Sequence, residues 1–156
     1  MITDRIKEEI LKKTAKYYNK KSAVMDALML VQKDCDNNIT RGDMEEIADI
    51  LGIKPHEVNA VASFYTMYNY DKPVGRYHIQ VCRNISCALL EAEAIIAHLE
   101  DVLGIKTGDT TSDNKITLST AECLGSCGTA PMMQINDDFY EDLTNEKVDA
   151  ILAGLE

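Results

Sequence analysis

What the 156-residue chain lacks narrows its role before any motif is read. No stretch approaches the about eighteen consecutive apolar residues that a membrane-spanning helix needs. The opening "MITDRIKEEI" carries acidic residues at once and has no apolar core, so it reads as neither a secretion signal nor a transit peptide. Positive charge is short: 16 Lys and Arg face 26 Asp and Glu, a formal net charge of −10. A nucleic-acid binder needs a basic footprint to meet phosphate, and the chain offers none. No G-x-G-x-x-G follows a strand, no phosphate-binding P-loop is present, and no nucleophile–base constellation stands out. Internal repeats and low-complexity tracts are missing as well. These absences predict a cytoplasmic protein that neither inserts into a membrane nor binds nucleic acid, and that holds no complete active site of its own.

The apolar fraction of 46% is ordinary for a folded protein, and its periodicity changes partway along. Ile2, Ile6 and Ile10 recur at i, i+4, i+8. Val24, Ala27, Leu28 and Val31 follow Ser22, a candidate N-cap. Thr40 and Asp43 form a short capping box before Met44, Ile47, Ala48 and Leu51, and Gly52 stops that helix. Pro55 suits a first turn, with Val58, Val61, Ala62 and Tyr65 behind it. Four short amphipathic helices are expected.

"NYDKPVG", from Asn69 to Gly75, breaks the pattern. Charge changes there too: residues 1–75 hold 11 basic against 12 acidic side chains, a balance of −1, and residues 76–156 hold 5 against 14, a balance of −9. A boundary is expected near residue 73. Beyond it Tyr77, Ile79 and Val81 alternate as a strand. Leu89, Ala92, Ile96, Leu99 and Leu103 line a helix ended by Gly104. Ile116 and Leu118, then Met133 and Ile135, then Phe139 and Tyr140 mark three more strands. A last helix starts at Thr144 with Val148, Ile151, Leu152 and Leu155 facing inward. The order β-α-β-β-α predicts an α/β layer, and the chain as a whole an α+β class.

Five cysteines are the chemistry that is present. Cys82 and Cys87 are spaced C-x-x-x-x-C and close the first strand; Cys123 and Cys127 are spaced C-x-x-x-C and follow the second. Two loops at one end of a sheet can bring four sulfurs together. Persistent disulfides are uncommon in the cytosol. Structural zinc usually takes tighter knuckles, and an iron–sulfur cluster suits wider, unequal spacings. Redox-active thiols are the third choice, and spacing alone leaves all three open. Gly125 and Gly128 let backbone N–H groups turn toward an anionic centre, or serve an ordinary tight turn.

The stretches "ASFYTMY", "GRYHIQVCRNISC" and "LGIKTGDTTSDNKITLSTAECLGSCGTAPMMQIND" follow, nearly in step, the small iron–sulfur subunit of the NADH-oxidising module of respiratory complex I. The chain resembles that family, with its relatives in bifurcating hydrogenases and NAD-linked formate dehydrogenases, over close to its full length. The most specific element is the second cysteine pair with the following A-P-x-x-x-I-N. The resemblance implies a helical partner-docking domain over 1–73 and a thioredoxin-like α/β ferredoxin domain over 74–156. It implies one 2Fe–2S cluster with Cys82, Cys87, Cys123 and Cys127 as its ligands. It further implies a non-catalytic electron-transfer subunit of an NADH-dependent oxidoreductase. FMN and NAD would sit on a partner flavoprotein, beside further iron–sulfur subunits, and the location would be cytoplasmic or peripheral on the cytoplasmic side of a membrane complex. A free-standing ferredoxin shuttle and a zinc-stabilised interaction module are the alternatives. One departure lies within the first pair: Arg83-Asn84-Ile85-Ser86 replaces the small residues and Thr-Ala step of many relatives, and Ala88 replaces His, with the spacing intact.

Other residues read as structural. Cys35, between Asp34 and Asp36, is expected to be a free thiol. His56, His78 and His98 do not cluster. Met25, Met29, Met44, Met132 and Met133 suit core filling. The aromatic "SFYTMYNY" suits either packing or a docking face.

Overall fold

The computed structural model describes residues 2–70 and 72–155. They fall into two compact units, divided between Pro73 and Val74.

The first unit holds four helices: α1 (Asp4–Thr14), α2 (Val24–Asp34), α3 (Arg41–Leu51) and α4 (Pro55–Phe64). Ile2, Ile6 and Ile10 bury one stripe against Val24, Ala27, Leu28, Val31, Met44, Ile47, Ala48, Leu51, Val58 and Ala62. The expected apolar faces are the observed ones, because i, i+3, i+4 spacing puts those side chains on one side of each helix. Tyr65 is the exception: it ends α4 in an extended conformation and stays partly exposed.

Ser22 does not cap α2. A 3₁₀ turn over Lys20–Ala23, capped by the Asn19 side chain, runs directly into the helix, and the Val24 N–H bonds back to Lys21 O. The amides that a serine hydroxyl would satisfy are already engaged by that turn. The Thr40–Asp43 box forms as expected. Thr40 Oγ1 accepts from the Asp43 N–H at 3.2 Å, and Asp43 Oδ2 accepts from the Thr40 N–H at 2.9 Å. Gly52 closes α3 at φ 66°, in the left-handed region that glycine enters without a Cβ clash. Thr40→Ala removes one half of this cap and is expected to cost about 1 kcal/mol of stability. A shift in the urea unfolding midpoint, at unchanged slope, measures it.

The second unit is a four-stranded sheet in the order β2-β1-β3-β4, built from β1 (Tyr77–Cys82), β2 (Ile116–Ala121), β3 (Met133–Ile135) and β4 (Asp138–Tyr140). β1 runs parallel to β2 and antiparallel to β3. A parallel neighbour needs a crossover, supplied by a short α5 (Ile85–Leu89) and a longer α6 (Ala92–Leu103). A final α7 (Asn145–Ala153) is capped by Thr144. Ile79, Val81, Leu118, Met133 and Ile135 pack with Ile95, Ile96, Leu99, Leu143 and Val148 in one core. The register sets His78 beside Thr117 and Gln80 between Ser119 and Gln134, so the alternate positions form a polar row.

The single helix expected over Leu89–Leu103 is two. Leu90 N–H bonds back to Ser86 O and Cys87 O, and Glu91 takes φ 66°, which ends α5 before α6 begins. Leu89 therefore leaves the core and is 77% exposed. No helix among the described residues is long and apolar enough to cross a membrane.

Candidate iron–sulfur site

Parallel pairing decides where the thiols go. Cys82, the last residue of β1, lies in register with Ala121, the last of β2. The chain leaves both strands at the same end of the sheet, and the two cysteine loops start side by side. Arg83 N–H bonds to Ala121 O at 3.0 Å and Cys82 N–H to Met132 O at 3.1 Å, which ties the loop after β1 to its neighbours. Asn84 caps α5 through its side chain, and α5 turns Cys87 back toward Cys82.

All five cysteines are free thiols. Cys82 and Cys87 are buried with Ala92 and Met132, with Leu124 and Ala130 packed against them. Cys123 and Cys127 are exposed. Cys82 interacts with one cysteine of each pair, Cys87 and Cys123, while Cys87 also feels Cys127. Burial raises the Cys82 thiol, but backbone N–H groups of Asn84 and Leu124, with the neighbouring thiols, outweigh it and leave the group below the usual range. Cys87 is shifted the other way, by burial and by its bond to Cys82, against the Met132 N–H. The structure thus stabilises a thiolate at Cys82, and thiolate is the form that binds metal.

Among the described residues, no three His, Cys, Asp or Glu side chains gather tightly enough to hold a metal ion between them. A binuclear centre with four cysteines asks for two sulfurs at each iron. Two pairs on adjoining loops, with N–H groups directed at sulfur, fit that donor set. Gly125 adopts φ 85°, so the expected left-handed turn occurs there; Gly128 lies in a 3₁₀ turn over Cys127–Thr129 and has no positive φ.

Residues outside the thiol set divide as follows. Cys35 belongs to the helical unit, at the end of α2, and burial together with Asp43, Asp34 and Asp36 raises its thiol. His78 Nε2 pairs with Ser119 Oγ at 2.7 Å and His98 Nε2 with Asp149 Oδ1 at 2.7 Å, so neither reaches the cysteines. Arg83, beside the first thiol, is exposed. Of the methionines, Met44, Met132 and Met133 are buried as expected, and Met25 is partly exposed. In the aromatic stretch Tyr68 is buried, its hydroxyl donating to Met25 O, whereas Phe64, Tyr65 and Met67 face solvent. Glu141 is a residue that sequence reasoning missed. Its carboxylate accepts hydrogen bonds from Ser126 and Thr129, which hold it below the usual carboxylate range. The short Asn136–Asp137 turn that folds β4 back beside β3 brings it there, and a lone glutamate in an acidic segment carries no local signature of that.

A four-stranded mixed sheet with two helices in its core and paired cysteine loops at one end defines a thioredoxin-like ferredoxin architecture. The model of the family described as thioredoxin-like [2Fe-2S] ferredoxin matches residues 8–156, and the chain belongs to that family of electron-transfer proteins. A 2Fe–2S site follows from that membership. Over 147 residues the chain is 44% identical to an NADH-quinone oxidoreductase subunit of Rhizobium meliloti, covering 94% of this chain and 86% of the relative. It is 42% identical over 153 residues to NADH-quinone oxidoreductase subunit 2 of Thermus thermophilus, covering 96% and 83%. Among solved structures, an NAD+-reducing [NiFe]-hydrogenase in the air-oxidised state superposes with a TM-score of 0.70 at 22% identity. That match covers 82% of this chain and 22% of the hydrogenase chain, and it bears on the fold alone.

Proposed function

We propose that this chain is the electron-carrier subunit of an NADH-oxidising complex, holding one 2Fe–2S cluster through Cys82, Cys87, Cys123 and Cys127 and exchanging single electrons with the FMN of a partner flavoprotein. The observation that supports the reading is that β1 and β2 run parallel and in register, so the loops carrying the two pairs of free thiols leave the sheet at the same end. The names of the relatives, NADH-quinone oxidoreductase subunits, support the choice of complex.

When bound, the cluster supplies one-electron chemistry, which divides the two electrons of a hydride delivered to a flavin. The chain's own residues do the rest. Four thiolates bind, and the N–H groups of Asn84 and Leu124 offset negative charge at Cys82. Met132, Ala92 and Leu124 exclude water from the inner pair. Further iron–sulfur subunits would take the electron onward, and a cytoplasmic setting suits free thiols. The helical unit, residues 1–73, is read as the docking part. Its solvent-facing Phe64, Tyr65 and Met67 supply apolar and aromatic surface of the kind interfaces use.

Anaerobic purification tests the reading. The expected product is brown, with two irons and two sulfides per chain, and it elutes from a sizing column together with its flavoprotein partner. NADH should then bleach it only when that partner is present. A colourless zinc protein would end the cluster reading. A brown protein that never associates would instead point to a free shuttle.

A further inference from the structure

The first half of the loop that carries Cys123 and Cys127 is anchored by Leu124, which packs against Met132 and the buried thiols. Between the end of β2 and the 3₁₀ turn at Cys127 it belongs to no helix or strand, and Gly125 turns it through the left-handed region. Both of its cysteines are exposed, so packing does not fix them. What meets its second half comes from the far side of β4. Glu141 directly follows Tyr140, which is in register with Met133 in the sheet, so its backbone has a firm base. One carboxylate oxygen, Oε1, accepts from the hydroxyl of Ser126, next to Cys127, and from that of Thr129 at 2.5 Å. The two hydroxyls lie 3.0 Å apart. The next two residues add backbone stitches on the same side: Asp142 N–H to Thr129 O at 2.8 Å and Leu143 N–H to Pro131 O at 3.0 Å. A carboxylate with two hydroxyl donors makes charge-assisted bonds, stronger than neutral ones.

We propose that Glu141 is a positioning residue: by accepting the hydroxyls of Ser126 and Thr129 it fastens the Cys123–Cys127 loop to the end of β4 and sets how firmly that loop keeps its cluster. The inference rests on the reading that the four cysteines ligate a 2Fe–2S centre. Glu141 touches no sulfur. It acts through the residue before Cys127 and the one two places after it.

The test uses the full chain, loaded anaerobically with iron and sulfide, as wild type, Glu141→Gln, Glu141→Ala, and the pair Ser126→Ala with Thr129→Val. Loss of visible absorption is followed after adding a chelator, with far-ultraviolet circular dichroism as the check on folding. Glu141→Ala and the double variant are each expected to release the cluster about fivefold faster, the scale of losing one net hydrogen bond. Glu141→Gln, whose amide oxygen still accepts but without the charge, should release at a rate between those of wild type and Glu141→Ala. That partial rescue separates a fastening oxygen from a general effect on stability. If Glu141→Ala does not fold, the double variant carries the test, because it removes both donors and leaves the carboxylate in place. Wild-type release rates in the variants that fold would overturn the proposal, and so would Glu141→Gln releasing as fast as Glu141→Ala. A wild-type chain that takes up no two-iron centre is a different result: it removes the ligand reading, and this inference falls with it.

Discussion

Replacing Cys82 with serine is expected to abolish the cluster, lowering iron from two per chain to a trace and removing the visible spectrum. Cys82 is the thiol in contact with a cysteine from each pair, so its loss disconnects the two loops rather than opening one corner. It is 2% exposed, and water cannot easily supply a substitute ligand. Its N–H donors from Asn84 and Leu124 are directed at a large, polarisable sulfur, and a serine oxygen is shorter-bonded and far less acidic. Cys87→Ser, at 1% exposure, should behave similarly. Cys123→Ser and Cys127→Ser are on the exposed side, where a serine or a water can approach the iron, and are expected to leave a weakened, spectrally altered centre. Cys35→Ser should leave iron content and spectrum unchanged. Iron and sulfide analysis with absorption spectra of the five variants checks the ranking. Two irons and an unaltered spectrum in Cys82→Ser would refute the ligand assignment.

Acid should weaken the second unit before its carboxylates titrate, and His78 is the reason. A free imidazole titrates near 6.5, and burial in the sheet pushes His78 down to about 4. The folded state therefore binds its proton less readily than the unfolded chain does. The stability this group contributes is complete above the unfolded value and is lost as pH falls from 6.5 toward 4. Between pH 7 and pH 5 the loss is expected to be about 2 kcal/mol. Carboxylates of this unit that are depressed in the folded state, such as Asp113 and Glu141, act lower, as pH falls through their own range. His78→Gln keeps a polar group near Ser119 Oγ but does not titrate. Urea midpoints at pH 7 and pH 5 for both proteins isolate the difference. Equal acid sensitivity in wild type and variant would sink the assignment.

Local patterns in the sequence carried much of this. The stripes Ile2-Ile6-Ile10 and Met44-Ile47-Ala48-Leu51 and the Thr40–Asp43 box were legible because everything they need lies within a few residues. The strands around Ile79 and Leu118 declared themselves by alternation. Two local readings failed where the backbone took a less common course. Ala23, not Ser22, precedes α2 because a 3₁₀ turn feeds the helix. Leu89 falls outside the core because Glu91, a residue with no marked preference for positive φ, breaks the helix there. For the site, cysteine spacing singled out two pairs of thiols but not their order of burial. That order depends on α5, the sheet register and Met132. Glu141 was illegible because its importance comes from strand pairing between Met133 and Tyr140 rather than from its neighbours in sequence.

The in-register pairing of Cys82 with Ala121 has a consequence for biogenesis. A nascent chain that has emerged only as far as α6 presents Cys82 and Cys87 alone, with no second ligand pair beside them. The crossover must fold back and β2 must dock before the remaining sulfurs arrive. On the proposed four-cysteine ligand set, a complete acceptor for a preassembled cluster would exist only once β1 and β2 have paired.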